Sequence, residues 1–332
     1  MRAIVIREPG GPDVLELKDV PMPEPSHGEV RVRVCATAVN RADLLQRQGM
    51  YPAPPGSPID IPGLEFAGEI DALGSGVEAL DGIALTEGER VCGLAGGGCY
   101  AEYVLVHART LARLPKNVSF TDGAALPEAF TTAYDAMVSQ ARLSSGETVL
   151  VHAAGSGVGT AAIQIAKAIG ARVIGTARTA SKLERCRELG MDDGVVVSNG
   201  KFADAVVEKT GGRGVDVVLE LVGGDYVKED LACTAEKGRI VLVGMMGGHA
   251  TEMNLAMLLR KRLTLRGTQL RARPLEEKIA AGRAFARHVV PLISEGKVRA
   301  VVDRILPLEK AAEAHELTAG NTTFGKVVLS VS

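Results

Sequence analysis

Between Thr148 and Arg178 the apolar positions change their spacing twice. Thr148-Val149-Leu150-Val151 is a continuous apolar run, the pattern of a strand buried on both faces of a parallel sheet. A turn of small residues follows, Ala153-Ala154-Gly155-Ser156-Gly157-Val158-Gly159. Thr160 to Ile169 then carries helical spacing up to Gly170, a residue suited to close a helix. A second apolar run over 172–176 completes a strand–helix–strand unit. Further short runs at 194–197, 215–219, 239–243 and 263–267 alternate with helical stretches. Strands and helices in alternation predict a doubly wound parallel sheet over residues 122–267, in an α/β protein.

The first third is patterned differently. Val30, Val32 and Val34 alternate with Arg31 and Arg33, the period of a half-buried strand. Ten of the 15 prolines precede Gly63, and none falls between Thr148 and Gly267. Residues 1–121 therefore read as an irregular β-rich domain. The segment 268–332 carries a predicted helix over 275–293 and a last strand, Lys326-Val327-Val328-Leu329, which is expected to return to that first domain.

The turn before Thr160 carries candidate chemistry. Aligned on Gly159, it is a degenerate GxGxxG with Ala154 and Ser156 at the first two glycine positions. Its place between strand and helix puts backbone N–H groups and a helix N-terminus where a pyrophosphate can sit. Ala154, Ser156, Gly157, Val158 and Gly159 are the expected contacts. An NAD site commonly has Asp or Glu at the end of the next strand, bonding the ribose 2′-hydroxyl. Here the chain reads Gly175-Thr176-Ala177-Arg178, with Ser181 and Lys182 close behind. Hydroxyls and cations suit a 2′-phosphate, so Thr176, Arg178, Ser181 and Lys182 predict NADPH as the cofactor. Gly244 and Met245 follow the run at 239–243, at the strand edge where such sheets bind ligands, and their backbone is expected to meet the carboxamide.

Composition excludes several classes. The 332 residues carry a net charge of −2, and no basic surface for nucleic acid is advertised. No apolar run is long enough to span a bilayer, and Met1 to Ile6 reads as a strand rather than a signal peptide, so a cytoplasmic location is expected. Five cysteines at wide, irregular spacing fit reduced thiols.

Several local motifs carry a family likeness. They include Asn40-Arg41-Ala42-Asp43-Leu44-Leu45-Gln46-Arg47-Gln48-Gly49 with Tyr51 and Pro54-Pro55-Gly56, and Gly63-Leu64-Glu65-Phe66-Ala67-Gly68. Pro127-Glu128-Ala129-Phe130-Thr131-Thr132-Ala133-Tyr134, Leu270-Arg271-Ala272-Arg273 and Gly325-Lys326 extend it over nearly the whole chain. In this order the chain resembles the zinc-independent NADPH:quinone oxidoreductases of the medium-chain dehydrogenase/reductase superfamily, the tumour-suppressor-inducible type above all. The resemblance implies a GroES-like β-rich domain made of 1–121 and 268–332, a Rossmann domain over 122–267, use of NADPH, and a homodimer, expected along the sheet edge at 263–267. It also implies Asn40, Tyr51 and Thr132 at the catalytic site, with Tyr51 in the quinone pocket. Asn40 is expected at the nicotinamide ribose or substrate, Asp43 as a loop brace, and Gly96-Gly97-Gly98 with Tyr100 as a turn near substrate. Arg271, Arg273 and Lys326 are candidates for cofactor phosphate or ribose. Two departures from the family stand out: Val197 near a usual tyrosine of the adenosine site, and Arg178 where relatives often carry glycine.

The zinc enzymes of the superfamily place Cys and His ligands at positions that appear here as Asn40, Leu64 and the Glu128–Ala129 region. Leu64 cannot ligate anything and Asn40 is a poor zinc ligand beside Cys or His, so no metal is expected. Without a metal to stabilise a developing alkoxide, acceptors that spread the incoming charge are favoured. The expected activity is hydride transfer from NADPH to quinones, with the proton from water or Tyr51. Two alternatives stay open: reduction of α,β-unsaturated carbonyls (enals, enones or enoyl thioesters) on the same scaffold, and a non-enzymatic NADPH-binding or nucleic-acid-binding role.

Overall fold

The computed structural model describes residues 1–331, and the chain divides into two compact units. The first comprises Met1–Thr131 and the chain from Leu270 onward; the second is Thr132–Gln269.

In the first unit β1 (Arg2–Ile6) pairs antiparallel with β2 (Leu15–Asp19). β3 (Glu29–Ala38), β4 (Glu65–Leu73), β5 (Arg90–Leu94), β6 (Tyr103–His107) and β7 (Leu111–Arg113) build most of a larger sheet. The alternation read along β3 is realised: Val30, Val32 and Val34 are buried, while Arg31 is half-buried and Arg33 exposed. The unit extends beyond Thr121 because the helix Phe120–Ala124 belongs to its core, where Gly123 lies against Leu114 and Ala67 with no room for a side chain.

The second unit holds β8 (Thr148–Val151), β9 (Arg172–Ala177), β10 (Asp193–Val196), β11 (Val215–Glu220), β12 (Thr234–Leu242) and β13 (Thr264–Gly267). Their order across the sheet is β10-β9-β8-β11-β12-β13, and every pairing is parallel. Strand order reverses between β8 and β11, and in such sheets ligands bind beyond the carboxyl ends of the strands at that point. β8 and β11 are buried throughout; β8 is an apolar run, while β11 also buries the acids Asp216 and Glu220.

Beyond Leu270 the expected single helix at 275–293 is two, Leu275–His288 and Val290–Ser294. Pro291 lacks the N–H that would continue the first helix, so the chain restarts at Val290. β14 (Val302–Pro307) and β15 (Lys326–Ser330) then join the sheet of the first unit, β15 antiparallel to β3. The cysteines are all free thiols. Among the described residues, no helix is long and apolar enough to cross a membrane.

Candidate functional site

The turn after β8 is built around a helix start. Ser156 caps the helix Gly157–Ile169, its hydroxyl oxygen accepting the Gly159 N–H at 3.0 Å. Ala153 takes a left-handed conformation with φ 46° and accepts the Ser156 N–H at 2.8 Å, while the Ala154 N–H donates to the Thr176 carbonyl at 2.9 Å. Gly159 has no space for a Cβ, which would stand 2.5 Å from the Ala153 carbonyl oxygen. The N–H groups of Gly157 and Val158 belong to the first turn, which has no intrahelical acceptor for them. That combination of open donors, a helix N-terminus and a side-chain-free third glycine fits a dinucleotide pyrophosphate. Ser156 is first a helix cap; its own proton remains to be donated.

Of the four residues expected at a 2′-phosphate, Thr176 is excluded. It is 1% exposed, in a strand buried from Val173 to Ala177, and its hydroxyl pairs with His152 Nδ1 at 2.8 Å. Arg178 follows β9, exposed and with no salt-bridge partner among the described residues. Ser181 is exposed in the first turn of the helix Ala180–Arg187, and Lys182 half-buried beside it. No acid stands at the end of β9. Gly244 and Met245 lie beyond β12, Met245 half exposed. Thr132 is buried within the helix Pro127–Tyr134. Val197, beyond β10, is buried.

In the first unit three polar residues close on one another. Lys326, 6% exposed at the start of β15, forms an ion pair with Glu65 Oε1 at 2.6 Å. It also donates to Asn40 Oδ1 at 2.6 Å and to the Val39 carbonyl at 3.1 Å. The three ammonium donors are thus engaged, and Lys326 does not reach for phosphate. The reason is its strand: β15 beside β3 carries the side chain into the interior. Asn40 Nδ2 donates to Glu65 Oε1 at 2.9 Å and to the Ala38 carbonyl at 3.2 Å, so both amide protons are used and only a lone pair on Oδ1 stays open. Glu65 Oε2 accepts the Glu128 N–H at 2.8 Å.

Asp43 is buried beneath this group. Its carboxylate accepts the N–H of Asn40 at 2.7 Å and of Gly63 at 3.1 Å, tying the start of the helix Arg41–Arg47 to the loop before β4. Burial pushes its carboxyl up to about 6, against the backbone donors and Lys326, which favour the charged form. Tyr100, expected near substrate, is fully buried, its hydroxyl facing Asp43 and His315 Nε2. Arg271 is likewise structural. It donates to the Gly96 carbonyl at 2.8 Å, the Tyr51 carbonyl at 3.1 Å and Gln46 Oε1 at 2.5 Å, and its guanidinium lies 5.2 Å from the centre of the Tyr51 ring. It fixes two glycine- and proline-rich loops relative to each other and supports one face of Tyr51.

The positions corresponding to zinc ligands do not fit a metal. Leu64 is buried and offers no donor atom, Asn40 Oδ1 already accepts from the Lys326 ammonium, and Glu65 already has that ammonium as its partner.

Comparison with known proteins decides the family. Residues 26–116 match the alcohol dehydrogenase GroES-like domain, and 157–285 the zinc-binding dehydrogenase domain. The quinone oxidoreductase of Lama guanicoe is 36% identical over 99% of this chain and 97% of its own. The chain belongs to the zinc-independent quinone oxidoreductase family of medium-chain dehydrogenases/reductases. Within that family it is also similar to a 2-haloacrylate reductase of Burkholderia sp., 32% identical over 98% of each chain. Solved structures agree in fold. The Escherichia coli quinone oxidoreductase complexed with NADPH has a TM-score of 0.87 at 30% identity, covering 100% of both chains. An NAD-dependent alcohol dehydrogenase has a TM-score of 0.87 at 36% identity, also over 100% of both. The family member described here is an oxidoreductase with an NAD(P)-binding fold, and its first unit is GroES-like.

Sequence reasoning missed Glu65, Arg271 as a clamp, and the buried group His152, Glu220 and Asp230. A signal existed for the last: Glu220 follows the apolar run Val217-Val218-Leu219 at the end of a buried strand, an odd place for an acid.

Proposed function

We propose that this chain reduces quinones with NADPH by hydride transfer, with no metal at the reacting carbonyl. The observation that carries the reading is the set of Asn40, Glu65 and Lys326 beside Leu64: the carboxylate already has an ammonium partner, Asn40 Oδ1 already accepts from that ammonium, and Leu64 has no donor atom. An acceptor that disperses negative charge over its own conjugated system needs no such ion.

When bound, the reduced nicotinamide supplies the hydride. The chain's own residues bind and orient. Gly157 and Val158 N–H groups with the helix N-terminus hold the pyrophosphate, and Ser156 can add a hydroxyl proton. Arg178, with Ser181 and Lys182, holds the 2′-phosphate. Backbone at Gly244 and Met245, with Thr132, orients the carboxamide end. Asn40 Oδ1, with one lone pair open, accepts from a ribose or substrate hydroxyl. Tyr51, held by Arg271, offers a flat face to the acceptor ring. The chain's main catalytic contribution would be to orient the bound nicotinamide toward the acceptor, and a proton from water or Tyr51 would complete the reduction.

The similarity to a protein named 2-haloacrylate reductase supports a second reading, reduction of activated alkenes. NADPH oxidation measured against ortho- and para-quinones and against enones and enals separates the two. Quinones are expected to give kcat/KM at least about tenfold higher, equivalent to about 1.4 kcal/mol in the barrier. A preference for enones would replace the quinone reading, and no turnover with any acceptor would leave a binding protein.

We further propose a homodimer. β13 is an edge strand, and the helix Leu255–Lys261 before it buries none of its residues, leaving Leu255 65% and Leu259 78% exposed. An unpaired edge beside exposed leucines is a pairing surface unless it is protected. Light scattering is expected to give twice the chain mass, and Leu259→Glu to shift it toward one; a parent protein that is monomeric would remove the dimer.

A further inference from the structure

Beneath the carboxyl ends of β8, β9 and β11 lies a fully buried polar line. His152 Nε2 meets Asp230 Oδ1 at 2.8 Å, and His152 Nδ1 meets the Thr176 hydroxyl at 2.8 Å. Glu220 stands 3.7 Å from His152 Nε2 through Oε2. The atoms of His152, Glu220 and Asp230 that face each other lie within 4.8 Å of one another. Two of them have no partner: Glu220 Oε2 and Asp230 Oδ2. Two ionised carboxylates at no exposure and without a cation would be prohibitively costly.

The groups packed around the line supply none. The residue after β8 is His152, and β9 brings Thr176. The helix Tyr226–Cys233 brings Tyr226, Glu229, Asp230 and Cys233, and the chain before the helix Ala203–Lys209 brings Phe202. The nearby Lys201 is taken by Glu229, which also caps Phe202 and Ala203 N–H groups. Arg178 acts as a charge on the Tyr226 phenol, whose ring packs against His152.

One proton resolves both orphan oxygens at once: carried on Glu220 Oε2, it donates to Asp230 Oδ2, while His152 Nε2–H donates to Asp230 Oδ1. A metal ion fits less well, because the 2.8 Å between His152 and Asp230 is a hydrogen-bond distance.

Glu220 also ties together the loops that follow β11 and β12. Its Oε1 accepts the N–H groups of Val222 and of Gly223, the latter at 2.8 Å, and its backbone carbonyl accepts Val243 N–H at 2.8 Å and Gly244 N–H at 3.3 Å. Val222 in turn accepts the Gly247 N–H at 2.6 Å. Gly223, at φ 74°, packs so closely that a Cβ would stand 2.9 Å from both the Gly244 oxygen and Met245 Cα.

We propose that Glu220 is a positioning residue: it carries a proton in the folded enzyme, shares it with Asp230, and through that line holds the loops 221–224 and 243–247 in the geometry that presents Gly244 and Met245 to the cofactor. This rests on the reading of Gly244 and Met245 as cofactor contacts. Burial, aided by Asp230 and opposed by His152, pushes the Glu220 carboxyl up from 4.5 to about 8, and burial pushes His152 down so that the imidazole is neutral. Asp230 is raised as well, by burial first. Folding therefore takes up a proton between pH 4.5 and about 8, so this group's contribution to stability falls as pH rises across that window and levels off above it.

The test compares Glu220→Gln with Glu220→Ala. Gln is the isostere of the protonated acid: its oxygen keeps the Val222 and Gly223 bonds and its NH2 donates to Asp230. Glu220→Gln is expected to match the parent's Tm near pH 5 and to exceed it above pH 8, with the KM for NADPH unchanged. Glu220→Ala is expected to raise that KM about tenfold, as for two backbone donors left unpaired, with kcat less affected. If Glu220→Gln melts lower than the parent across the whole pH range, the shared proton is wrong, whatever the cofactor contacts. A divalent ion retained at one per chain, by elemental analysis of protein purified without chelator, would also overturn it. If the pH behaviour is as expected but Glu220→Ala leaves the KM for NADPH unmoved, the positioning role fails.

Discussion

Lys326→Met is expected to destabilise the GroES-like unit by about 3–5 kcal/mol, the usual cost of removing one partner from a buried ion pair. The substitution keeps most of the side chain's apolar volume, so the loss is electrostatic rather than a cavity. Glu65 is 0% exposed, and its Oε1 would keep only the neutral amide of Asn40 as a partner. Asn40 would lose the donor that fixes its Oδ1, and the Val39 carbonyl would lose its Lys326 donor as well. The double variant Lys326→Met/Glu65→Gln removes the stranded charge and is expected to recover much of the loss. Urea unfolding of parent, both single variants and the double gives the coupling directly. A Lys326→Met protein as stable as the parent would show that the ion pair contributes nothing to the fold.

That same pair shows where sequence reading ran short. In the sequence Lys326 is a candidate for cofactor phosphate or ribose, and nothing near it in the chain points to Glu65. Its partner, Glu65, lies at the start of β4, and only the pairing of β15 with β3 and of β3 with β4 brings the two together. Thr176 failed for a local reason. Periodicity located β9 but could not say which face of it the hydroxyl joins, and His152 claims it. Tyr100 failed likewise, as a polar tip satisfied by the buried Asp43 and His315.

The strands of the second unit were legible for the opposite reason. A central parallel strand is buried on both faces, so Thr148–Val151 and the stretch Val217–Leu219 are written in the chain as apolar runs that need no partner to be recognised. The helix start at Ser156 was legible too, since capping is a matter of neighbours in sequence. Glu65, Glu220, Asp230 and Arg271 act through partners far along the chain, and their roles emerge only once the sheet order is known.

Arg178 is the exception among the long-range candidates, because its expected partner is the cofactor. Arg178→Ala is expected to raise the KM for NADPH about tenfold to a hundredfold and to leave the KM for NADH nearly unchanged. A guanidinium–phosphate contact is charge-assisted and can be bidentate, worth about 1.5–3 kcal/mol, and each 1.4 kcal/mol is tenfold in affinity. The side chain is exposed and carries no competing ion pair among the described residues, so nothing in the chain has to be given up for it to turn to the ligand. Exposure also means screening, so the preference for NADPH over NADH is expected to shrink as salt rises in the parent, and much less in the variant. Similarity to an NAD-dependent alcohol dehydrogenase makes this measurement the discriminating one. Equal losses with both cofactors would mean that Arg178 supports the fold of the β9 edge, and no loss with either would move recognition of the 2′-phosphate to Lys182 and Ser181 or abolish it.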